Sequence, residues 1–343
     1  MCREGWSAGG AFIGSPILTA IEFAAGLAIA LGASELMVRG LTRLGTKAGF
    51  SEGLLGLLGA LGADSPELSS AVIAIIAGAG GVGVGVVVGS NLFNLAALLG
   101  LSAVVARNVT VRRAPLAFDA AAGVLIMAVA AAMSARLLTP VAAAVVLAPV
   151  IVPYVAILAV PRRRLRVFRP LLRVVPQNLV EIAYEITHDR PPSRHGSWTP
   201  VLLLPVAVAA VVAGSFLMVH SALDAQRSLH VSDAIVGTIV LAGLTSLPNL
   251  YVALHFARSD RGTALFSSAM NSNSINLTGG LVVPALFVGA GVASGSLSNF
   301  GWLAVLTAVS IAAPLAYGRL NRLMGSVIIA IYLIFVLRLV TGA

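Results

Sequence analysis

Long apolar runs follow one another through almost all of this chain, separated by short turns that carry arginine. About 20 apolar residues in a helix rising 1.5 Å per residue cross the ~30 Å hydrocarbon core of a bilayer. Lipid offers no hydrogen bonds, so a segment buried there must pair its own backbone groups, as a helix does. The expected fold class is therefore an all-α polytopic membrane protein. Composition agrees, at 58% hydrophobic and 10% charged with a mean hydropathy of +0.98, where soluble domains carry about 25% charged residues.

Spans are expected at about Ser15–Val38, Ser51–Ala77, Val82–Val105, Ala114–Ala132, Pro140–Val160, Pro200–His220, Asp233–Ala257, Thr263–Gly289, Ser298–Tyr317 and Leu323–Val340. That is ten transmembrane helices in two halves, residues 15–160 and 200–343. The first run is too long for a signal-peptide core and is expected to stay as a span. Residues 161–199 form a basic linker, with Arg162, Arg163, Arg164, Arg166, Arg169 and Arg173, followed by Arg190-Pro191-Pro192. Its first part reads as an amphipathic segment on an anionic leaflet. Eighteen of the 22 basic residues fall on one side if the spans alternate. The positive-inside rule then puts the N-terminus outside and the linker in the cytoplasm, in a cell membrane. The formal charge of +9 is thus read as anchoring, and no nucleic-acid partner is expected. Cys2 is the sole cysteine, which excludes an intrachain disulfide. The histidines have no metal-ligand spacing and are read as polar surface.

Two stretches break the apolar pattern: Gly62-Ala63-Asp64-Ser65-Pro66-Glu67 and Gly89-Ser90-Asn91-Leu92-Phe93-Asn94. An Asp at a membrane-helix centre costs roughly 3 kcal/mol on insertion scales, so such acids usually face an interior cavity and hold something. Pro66 removes a backbone donor and disturbs the helix, freeing a carbonyl. Ser90 and Asn94, four apart, share a helix face. Carboxylate, hydroxyl and amide oxygens suit a hard cation. Asp64 and Glu67 are the metal-ligating candidates, three apart on one face if the helix runs on through Pro66. The plainer reading of Asp64 is an acid that caps a helix break. Glu22, in the first span, is a weaker candidate for a vestibule, and Glu35 is read as reaching the interface.

Both stretches recur. Val231-Ser232-Asp233 leads into Gly243-Leu244-Thr245-Ser246-Leu247-Pro248-Asn249, with Leu244 aligned to Gly62. Later, Asn271-Ser272-Asn273-Ser274-Ile275-Asn276 answers the Ser/Asn stretch. Five spans per half is an odd number, so the halves insert in opposite senses. Inverted repeats with broken helices near the midplane mark alternating-access transporters.

These residues resemble the sodium/calcium exchangers of the cation/calcium antiporter superfamily, of prokaryotic type. Their hallmark is a Gly-Thr-Ser-x-Pro-Glu helix and a Gly-Ser-Asn-x-x-Asn/Asp helix in each repeat. The resemblance covers both repeats and is looser in the second. It implies a 5+5 fold with a cation site built by the second, third, seventh and eighth spans. It also implies that Glu67, Ser90 and Asn94 are ligands from one half and Thr245, Ser246, Ser272 and Asn276 from the other, joined by Asn249 at the position of the second glutamate. The expected function is secondary antiport of Na+ or H+ against a cation, calcium by resemblance. No cofactor beyond the transported ions is expected, and no enzymatic activity. The alternative is a transport-inactive homologue that serves as membrane sensor or scaffold.

This sequence departs from the hallmark where charge is concerned. Asn249 and Asn276 stand where the family has acids, and Ala63-Asp64 replaces Thr-Ser. With both Asp64 and Glu67 ionised, the site suits one divalent or two monovalent cations. With Asp64 turned away, Glu67 alone balances one Na+ or one H+. Amide oxygens provide a weaker field, so calcium is expected to be held less well than in the family at large.

Overall fold

The computed structural model describes residues 16–48, 52–159, 197–258, 261–289 and 297–342. The basic linker falls outside these except for its last three residues. Helices occupy all ten expected places among the described residues. In the first half they are α1 (Pro16–Ala48), α2 (Glu52–Ala63), α3 (Ser65–Ile76), α4 (Gly80–Ala106), α5 (Arg113–Ser134) and α6 (Pro140–Ala159). In the second half, α7 (Leu204–Leu229) is followed by α8 (Asp233–Thr245), α9 (Leu247–Arg258), α10 (Gly262–Leu277, continuing through Thr278–Val282 and Val283–Val288), α11 (Leu297–Tyr317) and α12 (Arg322–Thr341). Six are long and apolar enough to cross a membrane unbroken, and the α8–α9 pair makes a seventh, bent by 49°. The outward faces are apolar, with Val145, Phe287 and Leu337 all more than half exposed, as expected of surface that meets lipid.

The second and seventh spans are each two half-helices, hinged at Asp64 and at Ser246. Both hinges lie two residues before a proline, Pro66 or Pro248. Proline tolerates the first turn of a helix, where its missing N–H has no intrahelical partner. It therefore starts the new half-helix and does not kink the old one. The stretch from Asp233 to Ser246 is one residue longer than that from Glu52 to Asp64. A π-helical stretch, Val236–Leu241, interrupts α8, while Glu52–Ala63 is regular α-helix. Widening a turn to i→i+5 bonds stores one extra residue, which keeps both hinges at equivalent places.

Among the places where the halves meet, two are close glycine crossings beside the centre. A Cβ on Gly26 of α1 would lie 2.6 Å from Met218 N of α7, and one on Gly214 of α7 would lie 2.6 Å from Ala30 N of α1. The two backbones touch at this point, and a side chain on either helix would part them. Beside the hinges, a Cβ on Gly89 of α4 would lie 2.5 Å from Thr238 Cα and O of α8. Gly89→Ala is therefore expected to cost about 1–3 kcal/mol of stability through overpacking, seen as a lower thermal midpoint and less monodisperse protein in detergent.

The ends of the bundle sort by charge. A two-stranded antiparallel ribbon pairs β1 (Asn108–Thr110) with β2 (Arg319–Asn321), Val109 opposite Leu320. Arg112 N donates to Thr263 Oγ1 at 3.0 Å. The turns after α4, after α9 and after α11 thus meet at one end. Arg43 Nε donates to Ser197 O, joining the C-terminal part of α1 to the chain before α7. At the opposite end Gln226 donates to Asp233 Oδ1, and Gly81 packs on the same aspartate. The expected alternation of spans is what brings the arginine-bearing turns together.

Candidate functional site

The hinges meet in the middle of the bundle. Asp64 and Glu67 are each 1% exposed. Asp64 stands at the N-cap of α3, yet its side chain forms no capping hydrogen bond. It reaches across to the other half: Asn249 Nδ2 donates to Asp64 Oδ1 at 2.7 Å, and Ser272 Oγ donates to the same oxygen at 2.8 Å. The capping reading of Asp64 therefore fails on geometry. Glu67 Oε1 accepts from Ser246 Oγ at 2.7 Å, with Asn249 Nδ2 at 3.5 Å. The Asn249 amide thus lies between both carboxylates. The helix does not run on through this region, so the two acids do not converge by helical periodicity. The hinge at Asp64 turns the aspartate into the space that Glu67 faces.

The Ser/Asn stretches of α4 and α10 complete the cluster. Asn94 Nδ2 donates to Ser272 Oγ at 2.9 Å and to Asn273 Oδ1 at 3.2 Å. Asn91 and Asn273 form a reciprocal pair, each side-chain amide donating to the other's backbone carbonyl. Ser90 lies one turn before Asn94, and Asn276 one turn after Ser272. All are buried. Thr245 is buried beside the hinge, but its hydroxyl donates to Leu241 O at 2.8 Å within its own helix.

Several buried oxygens have no hydrogen-bond partner within the protein: Asp64 Oδ2, Glu67 Oε2, Ser90 Oγ, Asn94 Oδ1 and Asn276 Oδ1. Leaving a buried acceptor unsatisfied costs about 1–3 kcal/mol, and more for a charged one. Two carboxyl groups and three neutral polar side chains thus leave oxygens unsatisfied in the buried interior, oxygen types of the kind that hard cations take. Among the described residues no cluster of three or more His, Cys, Asp or Glu exists. The side-chain oxygens gathered here are carboxylate, hydroxyl and amide. Of the weaker candidates, Glu35 pairs with Arg39 Nε at 2.7 Å on the exposed side of α1. Glu22 is half-buried on α1 and joins none of the bonds of the cluster.

Three polar residues stand out here that the motifs alone did not single out. Asn91 and Asn273 lie inside the quoted stretches, and their pairing across the halves only emerges in three dimensions. Asp119, on α5, is 5% exposed and accepts from Ser267 Oγ of α10 at 2.5 Å. Its signal is the one that drew attention to Asp64, an acid in an apolar run.

These features define an all-α membrane protein of two five-helix halves, with paired broken helices enclosing a polar centre. The chain belongs to the sodium/calcium exchanger protein family, whose model matches residues 18–163 and 199–341. In fold it is similar to the sodium-calcium exchanger NCX_Mj soaked with 10 mM Na+ and 10 mM Sr2+, with a TM-score of 0.62 at 22% identity, covering 94% of this chain and 98% of that one. It is 29% identical over 136 residues to sodium/potassium/calcium exchanger 1 of Gallus gallus, covering 37% of this chain and 20% of that protein. It is 28% identical over 144 residues to the uncharacterized membrane protein MJ0091 of Methanocaldococcus jannaschii, 41% of this chain and 46% of that one. A shorter match, 35% over 85 residues, is to the putative antiporter CaxA of Alkalimonas amylolytica, 24% of this chain and 27% of that one. Each aligned stretch spans less than half the length of the relative it matches.

Proposed function

We propose that this chain is a secondary antiporter that moves Na+ or H+ against a second cation, calcium being the leading candidate, through a site at the two hinges. The observation that carries this reading is the cross-half cluster: two buried carboxylates from one half, held by Ser246, Asn249 and Ser272 from the other. Cations competing for Asp64 and Glu67 would couple the two fluxes, since neither carboxylate can balance both loads at once. Asn94, Ser90 and Asn276 would add neutral oxygens, and Thr245 packing. The fold likeness to NCX_Mj and the exchangers among the relatives support the same reading.

The charge inventory sets the load. A site must be nearly neutral before it is carried through a low-dielectric barrier, because an unpaired buried charge costs several kcal/mol. Asp64 and Glu67 together balance one divalent or two monovalent cations. We therefore expect electroneutral exchange, two Na+ against one divalent. Proteoliposomes clamped at different membrane potentials test this: the exchange rate should not change with voltage, and a steep dependence would refute the charge count.

The arginine-bearing end is assigned to the cytoplasm, which puts the N-terminus outside and the 161–199 linker inside a cell membrane. The primary test is Na+-driven uptake of radioactive calcium into vesicles, with strontium and manganese as competitors. Uptake that rises with an outward Na+ gradient supports antiport. No flux for any cation, from protein that is folded and correctly inserted, would favour the sensor or scaffold reading.

A further inference from the structure

Asp119 is a buried acid that the central cluster does not use. It sits on α5, six residues beyond Arg113, or roughly 9 Å into the helix. Among the described residues its hydrogen-bond partner is a hydroxyl, Ser267 Oγ at 2.5 Å. A charged group at this depth needs a counter-charge, and serine supplies none.

The surroundings of Asp119 lead toward the centre. One turn further along α5 stands Gly123, and a Cβ there would lie 3.7 Å from Ser274 Oγ of α10. Ser267, Asn271 and Ser274 share one face of α10 by their spacing, and that face meets α5. A small cleft opens at this level, lined by Asn91, Gly123, Met270, Asn273 and Thr307 among others. Asn91 is fully buried, and its Oδ1 has no partner within the protein. Beyond it, Asn273 bonds to Asn94, Asn94 to Ser272 and Ser272 to Asp64. The cleft thus begins one turn from Asp119 along α5, at Gly123, and Asn91 on its far wall is bonded through Asn273 and Asn94 to the central cluster.

We infer that Asp119, with Ser267 and the cleft beyond it, is a second station for a single monovalent metal cation on the arginine-bearing side of the central site. One carboxylate balances one positive charge. One carboxylate and one hydroxyl are too few for calcium, which takes six to eight oxygens, mostly charged in strong sites. Sodium, needing fewer and weaker ligands, fits. The station would raise the local concentration of the driving ion next to the central acids. This rests on the antiporter reading for its purpose, but not for its test.

The test is equilibrium binding of radioactive Na+ to the purified full chain in detergent, in an Asp64→Asn/Glu67→Gln background that removes both central carboxylates. Saturable binding should persist in that background and fall by about tenfold or more in affinity when Asp119→Asn is added. Asn keeps an acceptor for Ser267, so the helix contact survives while the charge goes. Asp119→Glu should restore binding, and Ser267→Ala should weaken it by only a few-fold. Equal Na+ binding by the Asp64→Asn/Glu67→Gln protein with and without Asp119→Asn would overturn the inference. So would a pattern in which Ser267→Ala lowers the thermal midpoint while Asp119→Asn leaves both midpoint and binding untouched, which would make the pair a structural tie. The central site is read separately, as the difference in binding between wild type and Asp64→Asn/Glu67→Gln, so either proposal can fail without the other.

Discussion

Glu67→Gln is expected to reduce divalent-cation exchange by about a hundredfold or more, the equivalent of losing some 3 kcal/mol of ion stabilisation. The substitution is close to isosteric. Its Oε1 can still accept from Ser246, as Glu67 does at 2.7 Å, so the contact between α3 and the α8–α9 hinge should survive. What changes is charge and polarity at Oε2, which is buried and without a partner. An amide nitrogen there turns an acceptor into a donor and leaves Asp64 as the single carboxylate. A divalent cation would then carry a net positive charge into the low-dielectric interior, which costs several kcal/mol. Na+-driven calcium uptake into vesicles, normalised to inserted protein, reads the loss. Unchanged uptake would remove Glu67 from the site.

The second large effect is a charge relocation. Asp64 and Asn249 are in direct contact at 2.7 Å across the halves, so a carboxylate at either position would serve the same space. Asp64→Ser should abolish divalent exchange for the reason just given. Asn249→Glu alone should also impair it, because a third buried carboxylate would face two already present. The double variant, Asp64→Ser with Asn249→Glu, restores the count of two and should recover exchange to within about tenfold of wild type. Residues in contact show coupling energies of about 0.5–3 kcal/mol, and this pair should lie at the top of that range. A double variant as inactive as the worse single would show that the two positions do not share one load.

Much of this was legible in the residues. Hydropathy alone located the spans, because a bilayer imposes one length and one polarity on every crossing helix. The central acids were legible because carboxylates are costly in lipid. That Ser246, Asn249 and Ser272 join them was what the resemblance to the exchangers implied, and the structure brings these residues against Asp64 and Glu67. The exact position of each break was not legible. Pro66 drew attention to itself, but proline is at ease in a first helical turn, so the hinge falls two residues earlier, at Asp64. The π-helical stretch in α8 left only a one-residue difference in spacing between the copies. The β1–β2 ribbon is three residues per strand and has no periodicity to detect. Thr245 matched a ligand position by motif, yet its hydroxyl turns back on Leu241 because a threonine late in a helix readily bonds the preceding turn. Asp119 has no echo in the second half, and a reading organised by the repeat passes over it.

The most direct measurement is anomalous scattering from strontium in crystals of the full chain grown in a low-sodium medium. The expected result is a single strong peak at the hinges, within about 2.6 Å of Asp64 Oδ2 and Glu67 Oε2, weakened as sodium is added back. A peak elsewhere, with both carboxylates still held by Asn249, Ser272 and Ser246, would contradict the assignment of the cation to this pair of acids.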